Sequence, residues 1–179
     1  MASPEDPTLV LITTPLGDIE VEVFRDRAPV TSENFLRYVD GGLLDGTAFF
    51  RTVTMENQPG SDVKIEVIQG GTAPKDAAYP STYPPIEHET TETTGLSHVD
   101  GAVSMARWAP GTATSSFFIC IGDQPELDYG GKRNPDGQGF AAFGRVRGGI
   151  GVVREIHRQP HEGQRLEPPI EIMSCRRIS

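Results

Sequence analysis

Residues 9–24 read LVLITTPLGDIEVEVF, and they carry the clearest structural signal in the chain. In IEVEVF, residues 19–24, apolar residues alternate with glutamates, which is the pattern of a strand with one buried face. The turn PLGD, residues 15–18, joins this strand to the apolar run LVLITT, residues 9–14. Two such runs around a short turn predict a β-hairpin.

Further elements follow outward from the hairpin. APVTSENFLRYVDGG predicts a helix that begins near Pro29 and ends at Gly41 and Gly42. GIGVVREIHRQ predicts a second helix near the end of the chain. Strands are predicted at 48–54, 64–69, 101–106, 116–121, 140–147 and 170–178. Many short strands with two helices predict a mainly β fold, a closed or nearly closed antiparallel barrel with helical lids.

Length, composition and charge restrict the possible functions. The 179 residues suit one domain at 8–179 after a flexible tail at 1–7, with a long surface loop at 72–100. The net charge of -9 argues against nucleic-acid phosphates and anionic membranes as partners. The first residues show neither a basic segment nor an apolar run, so we expect a cytoplasmic protein; a leader already removed would make it periplasmic or secreted. Cys120 and Cys175 are expected to be buried thiols.

Three motifs place one fixed cation and one amide side chain among aromatic residues: FFR at 49–51, IEVIQGG at 65–71 and SSFFIC at 115–120. This set suits a site that changes the conformation of a bound molecule without forming or breaking covalent bonds. No cofactor is predicted, because the glycine pairs fit neither a P-loop nor a dinucleotide fingerprint. No metal site is predicted either, because His88 and its neighbouring glutamates alternate along an extended chain and Pro160 separates His157 from His161.

The order of these motifs resembles the cyclophilin family of peptidyl-prolyl cis-trans isomerases over residues 8 to 178. The matching segments are GDIEVEVF, APVTSENFLRYV, FFR, QGG, GAVSMA, SSFFIC, the LD of 127–128 and FGRV. The resemblance implies an eight-stranded antiparallel barrel capped by two α-helices, with a substrate groove on the outside of the barrel. It also implies an enzyme that accelerates rotation about X-Pro bonds in peptides.

The resemblance assigns roles to residues of this chain. Arg51 would donate to the proline nitrogen in the twisted transition state, and Gln69 would orient Arg51 or bind the peptide backbone. Phe118 would form the floor of the proline pocket. The remaining substrate contacts would come from Val67, Leu127 and Phe140 as pocket walls and from the main chain of Ala106 and Arg107. Since Phe117 and Phe118 are neighbours in a strand, they should face opposite sides of the sheet.

Several positions depart from the family pattern around this pocket. Glu66 and Val67 stand where the family usually has Phe-Met, and Glu66 suggests a preference for basic residues near the proline. Glu126 replaces a tryptophan that binds cyclosporin, so weak or absent cyclosporin binding is expected. Phe140 replaces a histidine and Ser116 a longer glutamine. Trp108, the only tryptophan, is expected beside the groove.

Two functions stay open at this level. The first is an isomerase acting, as a monomer, on proline-containing peptides and unfolded or nascent chains. The second is a proline-peptide-binding module or chaperone with little or no turnover. Arg51 discriminates between them, because a pure binder needs no donor aimed at the proline nitrogen.

Overall fold

The computed structural model describes residues 7–72 and 82–179. These residues form ten β-strands, three α-helices and one 3-10 turn. The strands are β1 Thr8–Thr14, β2 Gly17–Val23, β3 Ala48–Val53, β4 Val67–Gly71, β5 Ala102–Met105, β6 Phe117–Cys120, β7 Ala141–Gly148, β8 His161–Glu162, β9 Arg165–Glu171 and β10 Ser174–Arg177. The helices are α1 Pro29–Asp40, α2 Thr91–Thr94 and α3 Ile150–His157, and the 3-10 turn is Pro125–Leu127.

All described strand pairings are antiparallel and belong to one sheet. The strand order is β10-β1-β2-β7-β5-β6-β4-β3-β9-β8. The predicted hairpin is β1 and β2, in which Ile12 pairs with Ile19 across the turn. The prediction of a mainly β, antiparallel fold is therefore confirmed.

The predicted numbers of strands and helices were too small. Instead of eight strands and two helices, the described residues form ten strands and three α-helices. The predicted run 170–178 is divided, since β9 ends at Glu171 and β10 begins at Ser174. The start of β9 was missed because RLEPPIE contains two prolines, which weaken a strand signal. Helix α2 was missed because it is a single turn.

The sheet has an apolar cluster on each face. The larger, interior cluster packs strand residues such as Phe49 and Phe117 against α1 and α3. A smaller outer cluster contains Phe118, with Phe140 packed against it. Phe117 belongs to the interior cluster and Phe118 to the outer one. The prediction that these two side chains face opposite sides of the sheet is therefore confirmed. The outer cluster is the support for the candidate site.

Helix α1 covers the interior core and is capped from a distant segment. It begins at Pro29, as predicted, and buries Phe35 and Leu36. The residue before it, Ala28, has no side chain that can bond the first N–H groups. The carboxylate of Glu89 accepts instead, from the N–H of Thr31 at 2.7 Å and from the N–H of Val30 at 3.3 Å. A negative charge at this end is also favourable to the helix dipole.

Parts of two predicted segments lie outside the described residues. These are the tail at 1–7, of which only Pro7 is described, and the loop at 72–100, of which 73–81 is not. In the ranges that are described, no helix has both the length and the apolar character that a membrane span requires.

Candidate active site

A cavity of ≈ 290 Å³ opens on the outer face of the sheet. Its walls combine apolar side chains with one amide and two guanidinium groups. They are Phe50, Arg51, Ile65, Val67, Gln69, Ala106, Arg107, Trp108, Phe118, Leu127 and Phe140. Nine of these residues are ones that the sequence singled out, and Phe50 and Ile65 complete the wall.

The central residues form a straight row across neighbouring strands. Arg51 of β3 pairs with Gln69 of β4, and Gln69 pairs with Phe118 of β6. Phe118 in turn pairs with Ser104 of β5. Directly opposite residues of antiparallel strands place their side chains on the same face. The sheet register therefore brings the cation, the amide and the aromatic floor together.

A β-bulge at Phe50 turns Arg51 toward the cavity. Phe49 pairs with Gly70, but Arg51 pairs with Gln69, so Phe50 is an extra residue on β3. In a regular strand, Phe49 and Arg51 would face the same side. Here Phe49 is fully buried in the interior core while Phe50 and Arg51 both line the cavity. Re-aiming a side chain beside a site is a known effect of bulges.

The glycine opposite the bulge has a steric role. A Cβ atom at Gly70 would lie 2.6 Å from Cδ1 of Phe49, which is too close for any real contact. Only glycine therefore lets the Phe49 ring enter the core at this point. The QGG motif thus accommodates the bulge that presents Arg51.

The guanidinium of Arg51 is held on two sides by amide oxygens. Its Nη1 donates to Oε1 of Gln69 at 2.9 Å. Its Nε and Nη2 both donate to Oε1 of Gln164, at 2.9 and 2.7 Å. Gln164 lies in the turn between β8 and β9, 113 residues away in sequence. The side chain of Gln69 is itself fixed, since its Nε2 donates to the hydroxyl of Ser116 at 2.9 Å.

The apolar part of the cavity is built from aromatic and aliphatic side chains. Phe140 stands almost perpendicular to Phe118, with ring centroids 5.2 Å apart. Val67 and Leu127 are buried beside them. Trp108 lies at the rim, where 52% of its surface is exposed. This combination offers an apolar surface next to the guanidinium of Arg51.

Arg107 holds the loop that carries Phe140 in place. Its Nε donates to the carbonyl of Gly139 at 3.0 Å, and its Nη1 donates to Oδ2 of Asp136 at 3.0 Å. The guanidinium also lies 5.1 Å from the centre of the Phe140 ring. The hydrogen bond from Arg107 lowers the pKa of Asp136 below its usual value. The side chain of Arg107 thus orders a pocket wall, beside the main-chain role in peptide binding that the resemblance implies.

Two predicted site residues lie outside the cavity wall. Glu66 is separated from it by strand alternation, because Ile65, Val67 and Gln69 take the cavity side. Its Oε2 lies 3.6 Å from Nε2 of His157 instead. Ser116 is buried and reaches the site only through Gln69. The expected preference for basic residues near the proline stays a prediction, with Glu66 outside the cavity wall.

The structure also identifies site residues that sequence reasoning missed. Ile65 could have been found, since the same alternation that selects Val67 and Gln69 selects it. Phe50 and Gln164 carried no local signal, because a bulge and a long-range turn contact place them. Among the described residues, no group of three or more His, Cys, Asp or Glu side chains could hold a metal ion.

Comparison with known proteins connects this geometry to one family. A family profile described as "Cyclophilin type peptidyl-prolyl cis-trans isomerase/CLD" matches residues 9–177. Peptidyl-prolyl cis-trans isomerase A of Dickeya dadantii is 37% identical over 150 residues, covering 83% of this chain and 70% of that protein. A peptidyl-prolyl cis-trans isomerase of Streptomyces antibioticus is 40% identical over 148 residues, covering 82% and 81% of the two chains.

A solved structure supports the fold. The crystal structure of a cyclophilin type peptidyl-prolyl cis-trans isomerase of Cryptosporidium parvum superposes with a TM-score of 0.77 and 22% identity. The superposition covers 97% of this chain and 99% of the other. With the family profile matched across almost its whole length, this chain belongs to the cyclophilin-type peptidyl-prolyl cis-trans isomerases.

Proposed function

We propose that this chain accelerates rotation about X-Pro bonds in proline-containing peptides and in unfolded or nascent chains. The observation that carries the proposal is the clamped guanidinium of Arg51 in the same cavity as the Phe118 ring. The barrier to rotation, about 18–20 kcal/mol, comes from amide resonance. A catalyst therefore needs to stabilise the twisted amide and does not need a nucleophile.

Arg51 supplies that stabilisation in our proposal. In the twisted state the proline nitrogen loses conjugation and regains a lone pair, so a donor aimed at it binds this state better than either planar isomer. The guanidinium keeps its charge at any working pH and presents its donors in a planar fork. Gln69 orients Arg51, and both lie at the edge of the apolar surface that would hold the proline ring.

The proline ring would pack on Phe118, between Leu127, Phe140 and Val67. The peptide backbone would pair with main-chain groups at Ala106 and Arg107, just beyond the end of β5. The N–H of Ala106 already donates to the carbonyl of Ser116 at 3.0 Å. We therefore assign the pairing to the carbonyl of Ala106 and the main chain of Arg107. The related Cryptosporidium parvum protein was also solved in the presence of the dipeptide Ala-Pro, a ligand of this chemical class.

The decisive test is the isomerisation rate of a short proline peptide with wild type, Arg51→Ala and Arg51→Lys. Loss of one preorganised donor predicts that kcat/KM of Arg51→Ala falls about 10²–10³-fold. Arg51→Lys retains the charge without the fork and is expected to recover only part of this loss. If wild type does not exceed the uncatalysed rate but still binds the peptide, the chain is a binding module or chaperone instead.

Further properties complete the proposal. We infer a monomer that works in the cytoplasm, or in the periplasm or outside the cell if a leader has been removed. We infer weak or absent cyclosporin binding, since Glu126 replaces an aromatic residue next to Leu127. We also infer that the sheet closes into a barrel, which the single interior cluster shared by β1, β2, β6 and β7 supports.

A further inference from the structure

A buried histidine lies behind the pocket and has no part in the mechanism above. His98 is 1% exposed, and it is not among the residues that line the cavity. Its ring is parallel to that of Phe118, with an interplanar angle of 10° and centroids 5.9 Å apart. Phe118 thus contacts two rings, the parallel imidazole of His98 and the perpendicular ring of Phe140.

Both nitrogens of the His98 ring have hydrogen-bond partners. Nδ1 lies 2.7 Å from Oδ1 of Asp128, and Nε2 lies 2.9 Å from the hydroxyl of Ser104. Because an ionised carboxylate only accepts, Nδ1–H donates to Asp128, and in the neutral ring Nε2 accepts from Ser104. The imidazole can neither flip nor rotate without losing both bonds. Its plane is therefore fixed by the network.

The main chain of His98 extends this control to the pocket wall. Its carbonyl accepts from the N–H of Gln124 at 2.7 Å, and its N–H donates to Oδ1 of Asp128 at 2.8 Å. Gln124 and Asp128 are the two residues that flank the 3-10 turn Pro125–Leu127. That turn carries Leu127, which is fully buried against the cavity. His98 thus supports both the floor of the pocket, Phe118, and one of its walls, Leu127.

Serine, histidine and aspartate in this order are also the components of a hydrolytic triad. Burial excludes that use here. The Ser104 side chain has 0% exposure and faces the outer cluster beneath the site. No carbonyl of a substrate can reach its hydroxyl. Ser104, His98 and Asp128 therefore take no part in a chemical step, and their hydrogen bonds hold other side chains in position.

We propose that His98 is a positioning residue of the isomerase, which fixes the Phe118 ring and the Leu127 turn so that the proline pocket is preformed. The inference rests on the proposed function, because it assigns Phe118 to proline binding. The contacts of His98 are with Phe118 and with the supports of the Leu127 turn, so its contribution is to the binding of the proline ring in ground state and transition state alike. Losing such uniform binding raises KM and leaves kcat almost unchanged.

Two substitutions separate the ring from its hydrogen bonds. His98→Asn keeps an amide near the position of Nδ1 but removes the stacked ring. His98→Phe restores a ring but removes the two ring nitrogens that bond to Asp128 and Ser104. We expect KM of His98→Asn to rise about tenfold, the size of change typical for loss of one aromatic contact. His98→Phe is expected to return KM close to the wild-type value although it is the less stable variant.

The measurements are kcat and KM for a proline peptide, with the folded fraction of each variant from thermal unfolding. Glu89→Ala, which weakens the distant start of α1, is the control for lower stability and should not change KM. An unchanged KM in His98→Asn, or a loss of kcat that only follows the folded fraction, would overturn the proposal. If His98→Phe does not fold, the KM of His98→Asn decides alone.

Peptide dissociation constants from an NMR titration of the Phe118 ring signals distinguish this inference from the proposed function. A wild type that binds the peptide without turnover refutes the isomerase, and the ratio of dissociation constants for wild type and His98→Asn still decides the role of His98. A wild type that neither binds nor turns over the peptide refutes both.

Discussion

Arg51 is held by two amide oxygens, and this choice of partner matters for its charge. Carboxylate partners would hold a guanidinium as firmly but would offset its positive charge. Gln69 and Gln164 fix the guanidinium plane and bring no negative charge of their own. Because the guanidinium of Arg51 is already held in place before the substrate binds, no energy is spent on orienting it toward the proline nitrogen in the twisted state.

Gln164→Ala should therefore lower catalysis through Arg51. Two charge-assisted hydrogen bonds are lost, and we expect kcat to fall about tenfold with a small change in KM. Steady-state kinetics on a proline peptide measures both constants. Gln159→Ala, whose side chain bonds to Glu155 on α3, is the matched control. A wild-type kcat in Gln164→Ala would show that Gln69 orients Arg51 without help.

At the scale of elements, the loop between the 3-10 turn and β7 is the most unusual part of the site. We call residues 129–139 the rim loop. It contains four glycines, but hydrogen bonds from three side chains hold it in place. One of these side chains belongs to the loop and the other two lie elsewhere in the chain. Arg107 binds the carbonyl of Gly139, Arg133 binds the carbonyl of Val63, and His88 bonds the carbonyl of Gln138. These contacts place Phe140 on the pocket wall.

The contact of His88 with the rim loop predicts a pH effect. Burial lowers the pKa of His88 from 6.5, so the unfolded chain takes up this proton first as pH falls. The free energy of unfolding should then decrease below about pH 6.5, until the pH reaches the lowered pKa of the folded state. His88→Gln can still donate to Gln138 but does not titrate. Urea unfolding at about pH 7.5 and about pH 5.5 should show a smaller decrease for His88→Gln than for wild type.

A replacement of the exposed His161 by glutamine is the control for the loss of one histidine. If wild type and His88→Gln lose equal stability over this range, burial of His88 has no influence on the pH dependence.

Helix α1 depends on Glu89 for the N–H groups at its start. Glu89→Ala removes that cap, and we expect a loss of about 1–2 kcal/mol in the free energy of unfolding. Glu87→Ala removes the same charge from an exposed position two residues earlier, and it should have little effect. Urea unfolding of both variants tests this. Equal stability of the two variants would mean that the cap contributes nothing beyond its charge.

At the scale of the whole molecule, one face of the sheet forms the stabilising core and the other face carries the candidate site. The interior cluster joins the strands to α1 and α3, while the outer cluster supports the cavity. Neighbouring residues such as Phe117 and Phe118 serve the two clusters. The site can consequently diverge from the family pattern, as at Phe140 and Glu126, without disturbing the interior core.

The two thiols offer a probe of the whole fold. Cys120 and Cys175 are free and buried, as the sequence predicted. Burial raises the pKa of Cys175 to about 12 and raises that of Cys120 as well. Because the thiolate is the reactive form, an aromatic disulfide reagent at about pH 8 should label neither thiol in the native protein and both in denaturant. Rapid labelling before denaturant is added would contradict the burial of these residues.

The sequence by itself determined what depends on local pattern. Alternation predicted the first hairpin, the opposite facing of Phe117 and Phe118 and most strand positions, since a strand repeats its side-chain direction every two residues. The ordered motifs identified Arg51, Gln69 and Phe118. Only the tertiary structure decided the bulge at Phe50, the contact of Gln164 with Arg51 and the displacement of Glu66 from the pocket. These features depend on strand register and on pairing between distant segments, and no local period encodes either of them.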